Sequence, residues 1–181
     1  MPTFNLLPDS LITNTGWSNP SGGPGTHLNI DEDNGDTDYI ETSTSGKRFI
    51  CGFQDPPIAE GLVDSITSVA WIGSMAKTSP GDSPATVRLG GTLASGGSVS
   101  TGLDNITVTS GGSYATQLGE VEIYSTGTTS WVYGDLAGLQ WRIDKARTDR
   151  FGELRVSYIY LYVTYVEAEV TENAIFFGSN F

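Results

Sequence analysis

From Glu153 to Val166 the chain reads Glu-Leu-Arg-Val-Ser-Tyr-Ile-Tyr-Leu-Tyr-Val-Thr-Tyr-Val. Aliphatic residues stand at Ile159, Leu161 and Val163, and tyrosines at Tyr158, Tyr160 and Tyr162. A strand sends alternate side chains to opposite faces. β-Branched and aromatic residues fit such a pleated, half-buried surface, and no glycine or proline interrupts the run. The pattern predicts a long central strand with the aliphatic set buried and the tyrosine set facing outward. The apolar run is much shorter than the ~20 residues that a membrane-spanning helix needs.

The same alternation recurs in shorter pieces. Arg48–Phe53, Ser65–Gly73, Ala85–Leu89, Ile106–Thr109, Val121–Ile123 and Leu139–Ile143 read as strands, with weaker candidates at His27–Asp31 and Tyr39–Ile40. In Ser65–Gly73, Val69 and Trp71 share one face and Ala70 and Ile72 the other. The connections carry turn residues, such as Ser79-Pro-Gly-Asp82, Ser95-Gly-Gly97 and Ser110-Gly-Gly112. One helical turn is expected over Tyr133–Gly138, with Asp135 as a cap. Eight or nine short antiparallel strands punctuated in this way predict an all-β fold, a two-sheet β-sandwich of jelly-roll type.

Both ends look different. Pro2, Pro8, Pro20 and Pro24, with Gly22, Gly23 and Gly25, predict an extended, irregular N-terminal arm over residues 1–28. The sandwich domain is expected over 29–167. A C-terminal arm over 168–181 carries Phe176, Phe177 and Phe181. The tail either folds back onto its own sandwich or inserts into a neighbouring subunit, and the second reading is favoured, because aromatic anchors supply much of the energy of an interface when they enter a partner's pocket.

Composition narrows the function classes. At 181 residues the chain is expected to be one domain. A net charge of -12 argues against nucleic acid as a partner, because phosphate binding needs clustered Lys and Arg. It argues equally against docking on an acidic membrane surface. A single cysteine excludes an intramolecular disulfide framework. Met1 to Asp9 has neither a basic nor an apolar signal region. The protein is therefore expected to stay inside the cell or to reach the outside within an assembled particle.

Candidate chemistry is sparse. The loop Asp31-Glu-Asp-Asn-Gly-Asp-Thr-Asp38 offers Asp31, Asp33, Asp36 and Asp38 as oxygen ligands for Ca²⁺. Counted from Asp31, however, its glycine is fifth rather than sixth, and Thr42 occupies the twelfth position where a glutamate belongs. A solvated loop of turn-forming aspartates is the favoured reading, and no metal or other cofactor is expected. His27 and Cys51 are single copies with no supporting nucleophile motif. No catalytic residue is expected, and the protein is read as a non-enzyme. Trp17, Trp71, Trp131, Trp141 and the tyrosine face are the aromatic surfaces on which a sugar ring can stack, set against core packing.

The order Leu7-Pro8-Asp9, Trp17, Ile30-Asp31-Glu32 and Asp36-Thr-Asp-Tyr-Ile-Glu41 continues into Ile66–Ile72. The Trp131, Leu136 and Leu139 turn and Arg155–Val163 then close it. Over about residues 5–167 this resembles the β-sandwich modules of tailed bacteriophages that serve as capsid decoration proteins and as tail and fibre domains. The resemblance implies a virion structural protein on the outer capsid surface, a decoration (cement) protein bridging capsomers. Its partners would be the major capsid protein and itself. Symmetric self-association is the default for such a part, with a homotrimer among its forms. Tyr158, Tyr160, Tyr162, Phe176, Phe177 and Phe181 are the expected partner-binding residues. The alternative is a receptor- or glycan-binding module of a tail or fibre.

Overall fold

The computed structural model describes residues 1–32, 37–78, 85–93, 97–100, 106–108, 115–120, 122–123, 131–145 and 153–169. Twelve strands among them form two antiparallel sheets, a β-sandwich of jelly-roll type. The first sheet is built on β12 (Leu154–Glu167). Along one edge of β12 runs β5 (Val63–Lys77), paired from Leu154↔Lys77 to Glu167↔Val63, with β9 (Ala115–Glu120) beyond it. The other edge takes β3 (Ile40–Thr42) at residues 154–156 and β1 (Thr3–Leu6) at residues 161–164. Between these two short strands the Ile159 N–H donates to the Ile30 carbonyl. The long strand is thus central, as its uninterrupted pattern predicts.

The second sheet runs β10 (Glu122–Ile123), β7 (Ser98–Ser100), β6 (Ala85–Thr92), β11 (Gln140–Lys145), β4 (Arg48–Phe53), β2 (Pro8–Asn14), and β8 (Ile106–Val108) also pairs with β6. A single turn of helix, α1 (Tyr133–Leu136), leads into β11. Its Asp135 side chain accepts from the Val132 N–H at 3.0 Å. The capping residue is thus the predicted one, placed inside the turn rather than before it.

The core lies between the sheets. Val69, Trp71, Ile159, Leu161 and Val163 enter from the first sheet, and Phe49, Cys51, Val87, Leu89, Trp141 and Ile143 from the second. Each such side chain stabilises the fold by about 1.5–3 kcal/mol when fully buried. Strand β12 changes face within this core. Leu154 and Val156 are buried before Ser157, whereas Ile159, Leu161, Val163 and Tyr165 are buried after it. A register shift between Val156 and Tyr158 marks a β-bulge. One extra residue reverses the parity of everything beyond it.

A buried cation ties the two sheets together. Lys145, fully buried at the end of β11, donates from Nζ to the Ser43 carbonyl at 3.0 Å and the Thr42 carbonyl at 3.4 Å. Its charge is thereby met by the chain leaving β3.

Three expectations change. Residues 1–28 carry more regular structure than their prolines suggest: β1 is an outer strand of the first sheet and β2 of the second. Proline is compatible with edge strands and strand starts, and Pro8 is the first residue of β2. Counting β1, β2 and the short β7, β9 and β10 raises the number of strands above eight or nine. His27–Asn29 is a 3-10 turn rather than part of a strand; Asn29 accepts from the Thr26 N–H and hydroxyl and donates to Asp38.

Candidate functional site

The outer face of the first sheet follows from β12. Beyond the bulge, Tyr158, Tyr160 and Tyr162 point away from the core. The Tyr158 and Tyr160 rings stack with centroids 6.0 Å apart and planes inclined by 21°. Tyr162 is 37% exposed and stands in register between Asn5 on β1 and Ala70 on β5. Tyr160 is half-buried beside Ile72. The tyrosine set does leave the core, but its accessible part is narrower than the alternation suggests, because Tyr158 is only 9% exposed.

Arg155 lies on β12 before the bulge. Its Nε donates to Glu41 Oε2 at 2.8 Å, its Nη2 lies 3.6 Å from Glu153 Oε2, and its guanidinium carbon is 4.3 Å from the centre of the Tyr39 ring. Burial pushes the Glu41 carboxyl up from its ordinary value, the Arg155 hydrogen bond pulls it back, and the Glu153 charge adds to the rise. Two carboxylates on one guanidinium form an ion-pair network that fixes β3 against β12.

The outer face of the second sheet is polar, and the sequence does not advertise it. Asp144 on β11 is in register with Arg48 on β4 and with Arg88 on β6. Arg48 donates from Nε at 2.9 Å and from Nη2 at 3.4 Å, and Arg142 from Nε at 3.1 Å. The Asp144 carboxylate raises the Arg48 guanidinium above its ordinary value. Beside this cluster lies a depression of about 110 Å³ lined by Gly90, Gly91, Thr92, Ser98, Val99 and Arg142. Gly90, in register with Arg142, leaves bare backbone there, whereas Gly91 faces the core, where a Cβ would stand 2.5 Å from Val99 Cγ2 and 3.1 Å from the Trp141 ring.

The remaining sequence candidates divide plainly. Trp17, Trp71, Trp131 and Trp141 are all buried, so none offers a sugar platform; packing wins because burying a large aromatic stabilises more than exposing it. Cys51 is fully buried on β4 with its Sγ 3.8 Å from the Trp141 carbonyl, and burial pushes its thiol up to about 12. That is the state of an inert core thiol. Asp33 and Asp36 lie outside the described residues, as do Phe176, Phe177 and Phe181. Burial raises the Asp31 carboxyl, a backbone hydrogen bond opposes this, and the Glu32 charge adds to it. No three His, Cys, Asp or Glu side chains among the described residues come together as a metal site.

No protein-family profile matches the sequence, and no curated protein matches it. Among solved structures the chain is similar to TmCBM27, a carbohydrate-binding module described for specific mannan recognition. That likeness has a TM-score of 0.46 and 11% identity, over 91% of this chain and 99% of that one. It is similar to a family 11 carbohydrate-binding module from Clostridium thermocellum in complex with a β-1,3-1,4-mixed-linked tetrasaccharide (TM-score 0.38, 10% identity, 88% of this chain and 86% of that one). It is similar also to the Arthrobacter globiformis T6 isomalto-dextranase complexed with panose (TM-score 0.45, 13% identity, 89% of this chain). The chain spans only 23% of that enzyme's length. Likeness at this level says nothing about ligand or activity.

Proposed function

We propose that this chain is a non-catalytic glycan-binding module that holds a sugar chain against the outer face of the first sheet. The observation that carries the reading is the outward strip Tyr160–Tyr162 on the central strand, an aromatic surface among the described residues, where all four tryptophans enter the core. A tyrosine offers an apolar ring face to the C–H side of a sugar and a hydroxyl to its rim. Asn5, Thr3 and Ser68 stand in register around Tyr162 and Thr164 and supply hydrogen-bonding groups. Well-packed strands hold the strip, so little ordering entropy is lost on binding. Affinity electrophoresis in gels containing neutral polysaccharides tests this. Retardation of the native chain that Tyr162→Ala abolishes is the expected result; equal migration of both in every gel overturns it.

The resemblance to phage modules supports a second reading, a capsid decoration protein at the virion surface. In that setting exposed Leu11 and Ile12 on the outer strand β2, together with Tyr162, would meet a neighbouring subunit. Labelled antibody on intact particles separates the possibilities: signal over the head favours decoration, and signal at the tail alone favours a receptor-binding part.

A further inference from the structure

We propose that the outer face of the second sheet is a separate site for acidic sugars, with the Arg142 guanidinium receiving a carboxylate above the bare backbone at Gly90. Three features of the face lead there.

The first is charge. The chain has nine Lys and Arg against twenty-one Asp and Glu. Two of the nine, Lys77 and Lys145, are buried. Yet Arg48 and Arg142 both bond the single carboxylate of Asp144, and Arg88 is its register neighbour on β6. This patch therefore carries surplus positive charge on a strongly acidic protein.

The second is orientation. Arg142 spends its Nε on Asp144 at 3.1 Å. That bond fixes the guanidinium plane and places Nη2 3.9 Å from where a Cβ on Gly90 would stand. The other edge of the fork therefore lies over bare backbone at the rim of the depression. A guanidinium held in this way matches a carboxylate with two parallel hydrogen bonds. Asp144 is a positioning residue: its oxygens are taken by Arg48 and Arg142.

The third is the lining. Thr92 and Ser98 place hydroxyl-bearing side chains beside Arg142, and Gln140 is in register with Thr92. Hydroxyls and amides both donate and accept, which suits a ligand rich in hydroxyls. Asp9 lies at the opposite end, near Gly52, with its Oδ1 3.5 Å from where a Cβ there would stand. The anionic group thus belongs at the Arg142 end.

Salt dependence distinguishes this site from a simple cationic patch. At physiological ionic strength charges are screened beyond about 8 Å, whereas at 0.01 M the reach is about 30 Å. The ligand then feels the local arginines in the first case and the overall -12 charge in the second. Binding is expected to be no stronger at low salt than at physiological salt, the reverse of ordinary polyanion binding.

The test is calorimetry of the whole chain with an oligogalacturonate, its methyl ester and a single-stranded oligonucleotide, at both salt concentrations. Binding of the acid but not the ester is expected. Arg142→Gln should weaken it about tenfold or more, as loss of a charge-assisted pair implies. Tyr162→Ala should leave it unchanged, which keeps the outcome independent of the site on the first sheet. No binding of the acid, equal binding of the ester, tighter binding of the oligonucleotide, or an Arg142→Gln protein that binds normally overturns the proposal. Thermal melts of Arg142→Gln establish that any loss is not unfolding.

Discussion

Leu161 and Tyr162 are adjacent on β12 and face opposite ways, so truncating each in turn separates fold from function. Leu161 is fully buried between the sheets. Leu161→Ala loses the transfer energy of the removed atoms and leaves a cavity, a cost of about 3 kcal/mol or more. For a chain of this size each kcal/mol moves Tm by about 2–4 °C, so a drop of about 6–12 °C is expected. Tyr162 is 37% exposed, with Asn5 and Ala70 as its register neighbours. Tyr162→Ala should cost about 1 kcal/mol or less, in the range of surface substitutions. Its effect on binding should be the larger one: loss of an aromatic anchor weakens association by about 1–2 kcal/mol, roughly tenfold. Calorimetric melts of the two variants and gel retardation on the retained polysaccharide measure both quantities. If Tyr162→Ala melts as early as Leu161→Ala, the tyrosine is a core residue and the outward strip does not exist. If Leu161→Ala melts normally, the bulge at Ser157 does not set the parity of β12.

Lys145→Ala removes the tie from β11 to the Thr42 and Ser43 carbonyls along with the stem that packs beneath it, and should destabilise the chain by about 2–4 kcal/mol; a chemical-denaturation midpoint within error of the native chain would discount the tie. Burial raises both the Asp31 and Glu41 carboxyls. The stability they contribute is full below their unfolded values near ~4 and is lost as pH rises through their folded values. The relaxing self-repulsion of an acidic chain acts in the same direction, so Tm should rise as pH falls toward about 4; a steady decrease on that approach contradicts the assignment. Cys51, with its thiol held up to about 12 by burial, should stay unmodified by thiol reagents at about pH 8 in the native chain and react on unfolding; prompt modification of the folded chain would show the thiol to be accessible.

The sequence by itself determined what depends on near neighbours. Period-two alternation specifies strands and their buried faces, so β4, β5, β11 and β12 are legible from residue type alone. Asp135 similarly marks the turn before β11. Local signals misled where a tertiary partner supplied what the chain lacks. The prolines of residues 1–28 read as an arm, but β1 and β2 find places in the two sheets. His27–Asn29 reads as a strand, but Asn29 closes it into a turn.

Tertiary structure alone decided the sites. An exposed tryptophan and a buried one look identical in sequence, and only packing into the hydrophobic core chose burial for all four. Tyr158 and Tyr162 occupy equivalent places in the alternation, yet one is covered and the other open. The arginine face is the clearest case. Arg48 and Asp144 are 96 residues apart in the chain, and nothing near either one indicates the other. Strand register sets them side by side, because each β-strand fixes only which side its residues face, while the order and pairing of strands fix what they meet there.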